Sequence, residues 1–448
     1  MKKYDNYKDS GIDWIGEIPE HWKLIRIGSL SQCITGFAFK SENFSFENGI
    51  KIVRGDNVTE NSLRWGDKTR YWNEYSEVLD RFQLQKNDIV IGMDGSKVGK
   101  NYAYVQEKDL PLLLVQRVAR IRSNSELIAK WIHFNIGAYN FKYYINLSKT
   151  DPAIPHITLK NITSYPICIP DIDEQNQIIN YLNHKTTQID TLITKKEKFI
   201  ILLQEERTAL INQAVTKGLD PKVKMKDSGI EWLGEIPEHW EVKKLKLVFN
   251  PSKGLTITKE NLKDEGIQCV NYGEIHSKFG FELDTNIHEL KYVDSSYLES
   301  NDRSLIECGD FVFADTSEDI VGAGNFTYLK SEDKIFAGYH TIILKPIENL
   351  DSRFFAYEFD SIPFRTQIRQ SVKGVKVFSI TQAILKNVGT WFPPKSEQKS
   401  ISDFLTIETE KIDSIILKAK EEIELLKEYK TALISEVVTG KIDVRNTI

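Results

Sequence analysis

Residues 8–22 read KDSGIDWIGEIPEHW and residues 226–240 read KDSGIEWLGEIPEHW. Thirteen of the fifteen positions are identical, and the exceptions, Asp13/Glu231 and Ile15/Leu233, are conservative. The offset is 218. A second match lies further on, where IPDIDEQNQIINYLNHKTTQIDTLI (169–193) aligns with FPPKSEQKSISDFLTIETEKIDSII (392–416) at an offset of 223. The chain is therefore a duplicated unit of short motif, long variable segment and long helix, and the second variable segment carries five extra residues (223 − 218). This divides it into motif 1–22, variable segment 23–170, helix 171–218, motif and linker 219–240, variable segment 241–393 and helix 394–442.

The helical parts carry apolar residues at 3/4 spacing. In the first, Ile178, Leu182, Ile189, Leu192, Phe199, Leu203, Leu210 and Ala214 form the stripe; in the second, Ile401, Leu405, Ile412, Ile415, Leu426, Leu433 and Val437 do, with Glu422 as the single break and Ile423 beside it to cover the gap. A seam held over several heptads predicts a coiled-coil pair. Because both stripes share one register, the two helices are expected to pack on each other antiparallel, with one lobe at each end; packing on a partner protein is the alternative. Each should run about 40 residues, roughly 60 Å, and stop near Gly218 and Gly440. In the variable segments, strand-like runs at 50–53, 88–91 and 112–115 have counterparts at 267–270, 310–313 and 341–344, and amphipathic stretches near 125–145 and 352–370 read as helices. The fold class is thus α+β: two mixed lobes joined by two long antiparallel helices.

At 448 residues the chain is too long for one core. With 41% hydrophobic and 27% charged residues it reads as soluble and globular. Cys33, Cys168, Cys269 and Cys308 form no C-x-x-C pair, which fits reduced thiols in a cytosol. The start, MKKYDNYKDSG, has no apolar segment of a signal peptide, and no run approaches the ~20 apolar residues that span a bilayer. The net charge of −5 conceals a contrast: 23–170 holds 20 basic and 14 acidic residues, a net of +6, whereas 241–393 holds 18 and 22, a net of −4. Any nucleic-acid role for the second segment must rest on a local patch.

No catalytic motif stands out. GMDGSKVGK (92–100) fails as a phosphate-binding loop, because only three residues separate Gly95 from Gly99 and Asn101 replaces the hydroxyl after Lys100. DIVGAGNF (319–326) faintly resembles the glycine turn of an S-adenosylmethionine site, yet it occupies the same place after a strand as the first loop. Pro393-Pro394 follows Phe392, so no Asn/Asp-Pro-Pro-Tyr signature exists. The histidines lack partners at metal-ligand spacing, and the Trp22 and Trp240 motifs read as plugs docking each lobe to the helices. The basic residues carry the positive signal. Ser361 to Ser396 contains no acid but holds Arg365, Arg369, Lys373, Lys376, Lys386 and Lys395. In the first lobe Arg54, Lys97, Lys100, Arg117, Arg120 and Arg122 are the counterparts. Such groups suit phosphate and base-edge contacts; a solvated charged face is the alternative for any one of them.

GIEWLGEIPEHW, the helix opening on Pro-x-x-x-Glu-Gln (170–175 and 393–398) and the duplication together resemble the specificity subunits of type I restriction-modification systems, over essentially the whole chain. The resemblance implies two target-recognition domains, each reading one half of a split double-stranded DNA site. It implies conserved helices that act as a ruler and dock methyltransferase subunits. It implies no catalysis in this chain, with S-adenosylmethionine, ATP and Mg on the methyltransferase and restriction subunits. Two related lobes on a rigid spacer should contact half-sites about one helical turn apart. The rival readings are a self-contained methyltransferase or nuclease and a scaffold whose lobes bind protein.

Overall fold

The structure, a computed structural model, describes residues 2–74, 76–149, 155–374, 376–445 and 447. It divides into two compact units that cut across the linear order: 1–197 with 420–448, and 198–419. The helices Ile172–Lys217 and Lys395–Val438 are each split between the units. Each unit therefore contains one variable segment, one repeat motif and a half of each long helix.

Within each unit the helix halves run antiparallel. In the first, Lys430 Nζ lies 2.6 Å from Asp190 Oδ1 and Lys196 pairs with Glu422, so one number rises as its partner falls. In the second, Arg207 Nε donates to Asp413 Oδ1 at 3.0 Å, and Leu203 packs with Ile412 and Ile416. Ile178, Leu182, Ile189, Leu203, Ile401, Leu405 and Ile412 are buried, Leu426 is half-buried, and Ile423 fills the gap beside Glu422. The expected stripe is wrong at three positions. Leu192, Phe199 and Ile415 are exposed, and the neighbouring Ile193, Ile200 and Ile416 pack instead. A helix at 3.6 residues per turn drifts off a seven-residue repeat. The helices are also longer than the 40 residues expected, 46 and 44. Gly218 and Gly440 end them at φ +70° and +71°, a conformation that glycine alone reaches without strain.

The repeat motifs are plugs at these helix ends. Trp22 is fully buried against Trp131 in a cluster that includes Leu433 and Val437; Trp240 is fully buried against Phe354 in a cluster that includes Ile211 and Val215. A Cβ on Gly440 would meet Pro19 Cδ at 2.3 Å, and one on Gly218 would meet Glu397 Oε1 at 3.0 Å. His21 Nε2 bonds Glu174 Oε2 at 2.7 Å, and His239 Nε2 bonds Glu397 Oε2 at 2.8 Å. Gln175 and Gln398 donate back to the carbonyls of Pro170 and Pro393 at 2.8 and 2.9 Å. The Pro-x-x-x-Glu-Gln opening is thus a helix start whose Gln closes on its Pro while its Glu holds the motif histidine.

Each lobe is built on an antiparallel sheet. In the first the order is Ser31–Thr35, Val118–Ser123, Ile89–Gly92, Tyr102–Tyr104; in the second it is Phe249–Lys253, Thr341–Pro346, Phe311–Ala314, Phe326–Leu329, with Phe281–Leu283 added parallel at the edge. A second small sheet pairs Ile50–Val53 parallel with Leu112–Leu114, and Ile267–Val270 parallel with Ile335–Ala337. Val118 faces Gly92 as Thr341 faces Ala314, so the registers superimpose. Neither amphipathic stretch is one helix. Glu126–Gly137 and Tyr139–Ser148 break at extended Ala138, and Ser352–Asp360 and Ile362–Ser371 break at extended Ser361. The break frees an amide that reaches the long helices: Tyr139 N–H donates to Ser435 Oγ at 2.7 Å and Ile362 N–H to Asn212 Oδ1 at 2.8 Å. A helix-terminal amide without an intrahelical acceptor takes a side chain instead.

Candidate nucleic-acid interface

The two glycine loops occupy one place in the fold. Residues 93–101 join the strands Ile89–Gly92 and Tyr102–Tyr104, and residues 315–325 join Phe311–Ala314 and Phe326–Leu329. Gly99 lies against Ile145 and Gly324 against Ile368, so each loop leans on the second helix of its broken pair. Val98 N–H closes on Gly95 O at 3.1 Å and Asn325 N–H on Gly322 O at 3.0 Å. These amides turn inward, and one duplicated strand-turn element accounts for both glycine signatures.

Beside each loop projects the residue that opens the longest strand of the sheet. Arg117, at φ +69°, has a side chain 72% exposed, with Nε 3.2 Å from Asp94 Oδ2. Asp94 also holds His156. Lys97 and Lys100 on the loop are exposed. Lys142, from the adjoining helix, is drawn below the ordinary lysine range by partial burial and then by the Lys100 ammonium. The sequence reading missed Lys142, although adding 223 leads from it to Arg365.

Not every candidate cation reaches the surface. Arg120 is 2% exposed and donates to Arg81 O at 3.1 Å and Gln32 Oε1 at 3.0 Å. It is therefore withdrawn as a DNA contact, since its strand is covered on both faces. Arg122 closes a fork on Asp88 at 2.7 and 2.6 Å, the position where Lys345 faces Asp310 in the second lobe. Arg54 turns back to Lys68 O at 3.0 Å.

In the second lobe Lys373 and Lys376 are exposed on the loop preceding the strand Phe378–Ser379, which pairs with Thr316–Ser317. Arg365 and Arg369 are partly buried in the wall of a cleft of about 830 Å³, with Tyr272, His276 and Asp319 among the other lining residues. Arg365 donates to Asn325 Oδ1 at 2.9 Å and to Asp360 Oδ1 at 3.0 Å; Arg369 donates to Val321 O at 2.6 Å. Both are braced against the loop and offer only part of their fork. His340 holds the place of Arg117, and the sequence reading missed it; its Nδ1 lies 3.1 Å from Asp315 Oδ1. The positive groups of this lobe are thus local, as its net charge of −4 requires.

Against known proteins, the family model for the type I restriction modification DNA specificity domain matches residues 19–200 and 237–425. The type I restriction enzyme MjaVIII specificity subunit of Methanocaldococcus jannaschii is 24% identical over 99% of this chain and 97% of its own length. The EcoAI specificity subunit of Escherichia coli is 30% identical over 45% of this chain and 33% of its own. Among solved structures, a chain of a type I R-M system studied for its complex assembly aligns with a TM-score of 0.67 at 16% identity, covering 95% of this chain and 99% of that one. The HsdS subunit of Thermoanaerobacter tengcongensis aligns at 0.50 and 14% identity, covering 95% and 98%. The likeness to these two is one of fold.

Proposed function

This chain belongs to the type I restriction modification DNA specificity family, and from that premise we propose how its parts divide the reading of DNA. It is a specificity subunit, a DNA-recognition component and not the catalyst of its system. The lobe 23–170 reads one half of a split double-stranded site and the lobe 241–393 reads the other. Segments 171–218 and 394–442 set the gap between the halves and dock methyltransferase subunits, and motifs 1–22 and 219–240 lock each lobe to its helix end. S-adenosylmethionine, ATP and Mg act on the methyltransferase and restriction subunits, and the complex works in the cytoplasm. No described helix is long and apolar enough to cross a membrane.

One observation carries this reading: a single lobe architecture occurs twice with matching strand registers but different side chains around its glycine loop. A duplicated frame with divergent tips suits two half-sites of different sequence. The helices also keep large apolar side chains in solvent, among them Leu192, Ile201, Leu417 and Leu425, which suits partner docking. The test is a four-residue helical insertion near Lys195–Lys198, about one turn or ~6 Å, in a complex assembled with its methyltransferase subunit. Sequencing of methylated DNA should show a longer gap between unchanged half-sites. An unchanged gap, or altered bases at the same gap, would defeat the ruler.

A further inference from the structure

Among the described residues, five other than glycine sit at positive φ: Asn61, Asn87, Arg117, Phe281 and His340. Asparagine tolerates this region, whereas arginine, phenylalanine and histidine enter it under strain. Two pairs are equivalent in the duplicated frame. Asn61 follows Glu60, bridged to Tyr102, and Phe281 pairs with Thr327, so these two match. Contacts within the lobe account for them: Asn61 Oδ1 bonds His133, and Phe281 packs on Tyr357 at 4.8 Å between ring centres. Arg117 and His340 match as well, each preceding the strand residue that faces Gly92 or Ala314. In the second pair Arg117 meets no ring among the described residues, and His340 lies edge-on to Tyr272 at 5.3 Å between ring centres yet stays exposed, so neither is held in the interior. Their side chains are 72% and 55% exposed, and glycine would make the same turn without strain.

What the two share is an aspartate. Arg117 Nε sits 3.2 Å from Asp94 Oδ2, and His340 Nδ1 sits 3.1 Å from Asp315 Oδ1. In both cases the carboxylate takes the inner nitrogen and leaves the outer ones pointing away. Arg117's two terminal nitrogens have no hydrogen-bond partner among the described residues, and neither does His340 Nε2. A side chain retained at a strained turn in both copies, oriented by an acid and open at its tip, is a preset hydrogen-bonding head. We propose that Arg117 and His340 are the equivalent base-contacting residues of the two lobes: Arg117 presents its terminal fork to the O6 and N7 of a guanine, and His340 makes one hydrogen bond to a base edge in the other half-site. This rests on the DNA-reading function proposed above and names residues of that same site. The chemistries differ because a braced guanidinium still offers two parallel donors, whereas a braced imidazole offers one nitrogen.

The experiment uses Arg117→Gly, His340→Gly and Arg117→Lys chains, each assembled with the methyltransferase subunit. The methylated motif is read by sequencing, and unfolding is followed in parallel. Glycine suits the turn, so both glycine variants should melt like the parent. Arg117→Gly should relax one base pair of the first half-site, with roughly 5- to 150-fold loss of discrimination there, and leave the second half-site intact. His340→Gly should relax the second half-site alone, by less. Arg117→Lys keeps the charge but loses the fork, so it should still relax that base pair. Wild-type motifs in both glycine variants would overturn the proposal. So would an Arg117→Lys chain as selective as the parent, or glycine variants that unfold. A parent complex that methylates no bipartite sequence would overturn the DNA-reading function and this inference with it, whereas a bipartite parent motif untouched by the variants sinks this inference alone.

Discussion

The two lobes differ most where one strand of the small sheet passes to the centre of the large one. In the first lobe this passage, 54–88, folds as the hairpin Val58–Thr59/Ser62–Leu63, the strand Tyr71–Trp72 and a turn at Glu77–Phe82. In the second it is 271–310, five residues longer, and it forms the helix Tyr272–Ser277, the edge strand Phe281–Leu283 and the strand Lys291–Val293. The surplus seen in the repeat offsets falls here, between sheets whose registers are unchanged. Strand pairing and the buried plug tolerate no slip, because one residue turns every side chain to the wrong face; a surface passage tolerates insertion. Elsewhere the same slot holds different chemistry: Arg120 where the second lobe has Ile343, Asn135 where it has Glu358, Arg117 where it has His340. The frame is held constant while single slots, this passage and the length of the glycine loop vary.

The largest effects should come from slots that do not vary. Trp22 and Trp240 are both fully buried, one against Trp131 and the other against Phe354 in the matching position. Truncating either to alanine should cost about 3–5 kcal/mol, confined to its own unit when hydrogen exchange is followed by mass spectrometry. Both indole N–H groups are buried without a partner among the described residues, so phenylalanine strands no donor in either site, and both substitutions should cost under ~1.5 kcal/mol. A Trp240→Ala chain as stable as the parent would break the equivalence of the two plugs.

A smaller contrast is expected with pH, and it has opposite signs in the two units. In the first, His133 lies beside the rings of Tyr102 and Tyr104; burial, then the Lys430 ammonium, push it down to about 4. A base depressed in the folded state binds fewer protons there than in the unfolded chain, so this unit should lose stability as pH falls from 6.5 to about 4. In the second, burial raises Glu358 well above the ordinary glutamate value of 4.5 despite bonds from Thr390 Oγ1 and the Trp391 amide. An acid raised in the folded state contributes fully below 4.5, and that contribution is lost as pH climbs toward its folded value. His133→Gln should flatten the acid slope in the first unit only, and Glu358→Gln the rising-pH slope in the second only, both read by exchange protection across a pH series. Parallel slopes in the two units would show that these buried groups do not set their pH response.

The duplication made much of this legible in the sequence. The motif, the glycine stops and the strand at 50–53 with its counterpart at 267–270 stand where the repeat put them. The failures have physical causes. Arg120 sits in a strand whose basic residues read as surface, yet both faces are covered and its fork is spent on Arg81 and Gln32. The breaks at Ala138 and Ser361 left no shared mark, since Gly137 stands beside one and Pro363 beside the other, and what they serve is an acceptor on a distant helix. His340 was within reach by adding 223 to Arg117, but a search confined to lysine and arginine passes over a histidine.

The smallest effects should come from the long helices, where the exposed positions correspond. Leu192 and Ile415 are related by the same offset, and each is 43% exposed. A glutamine at either site replaces apolar surface that the folded chain buries only in part, so the free protein should change by no more than about 1 kcal/mol in denaturant unfolding. Their inward neighbours Ile193 and Ile416 pack within their units, and glutamine there should cost more. This separates the seam from its outer face. If that outer face receives methyltransferase subunits, Leu192→Gln and Ile415→Gln should each weaken assembly, and to a similar degree if the two ends dock alike. Loss at one site and none at the other would show that the duplication seen in the frame does not extend to its partners.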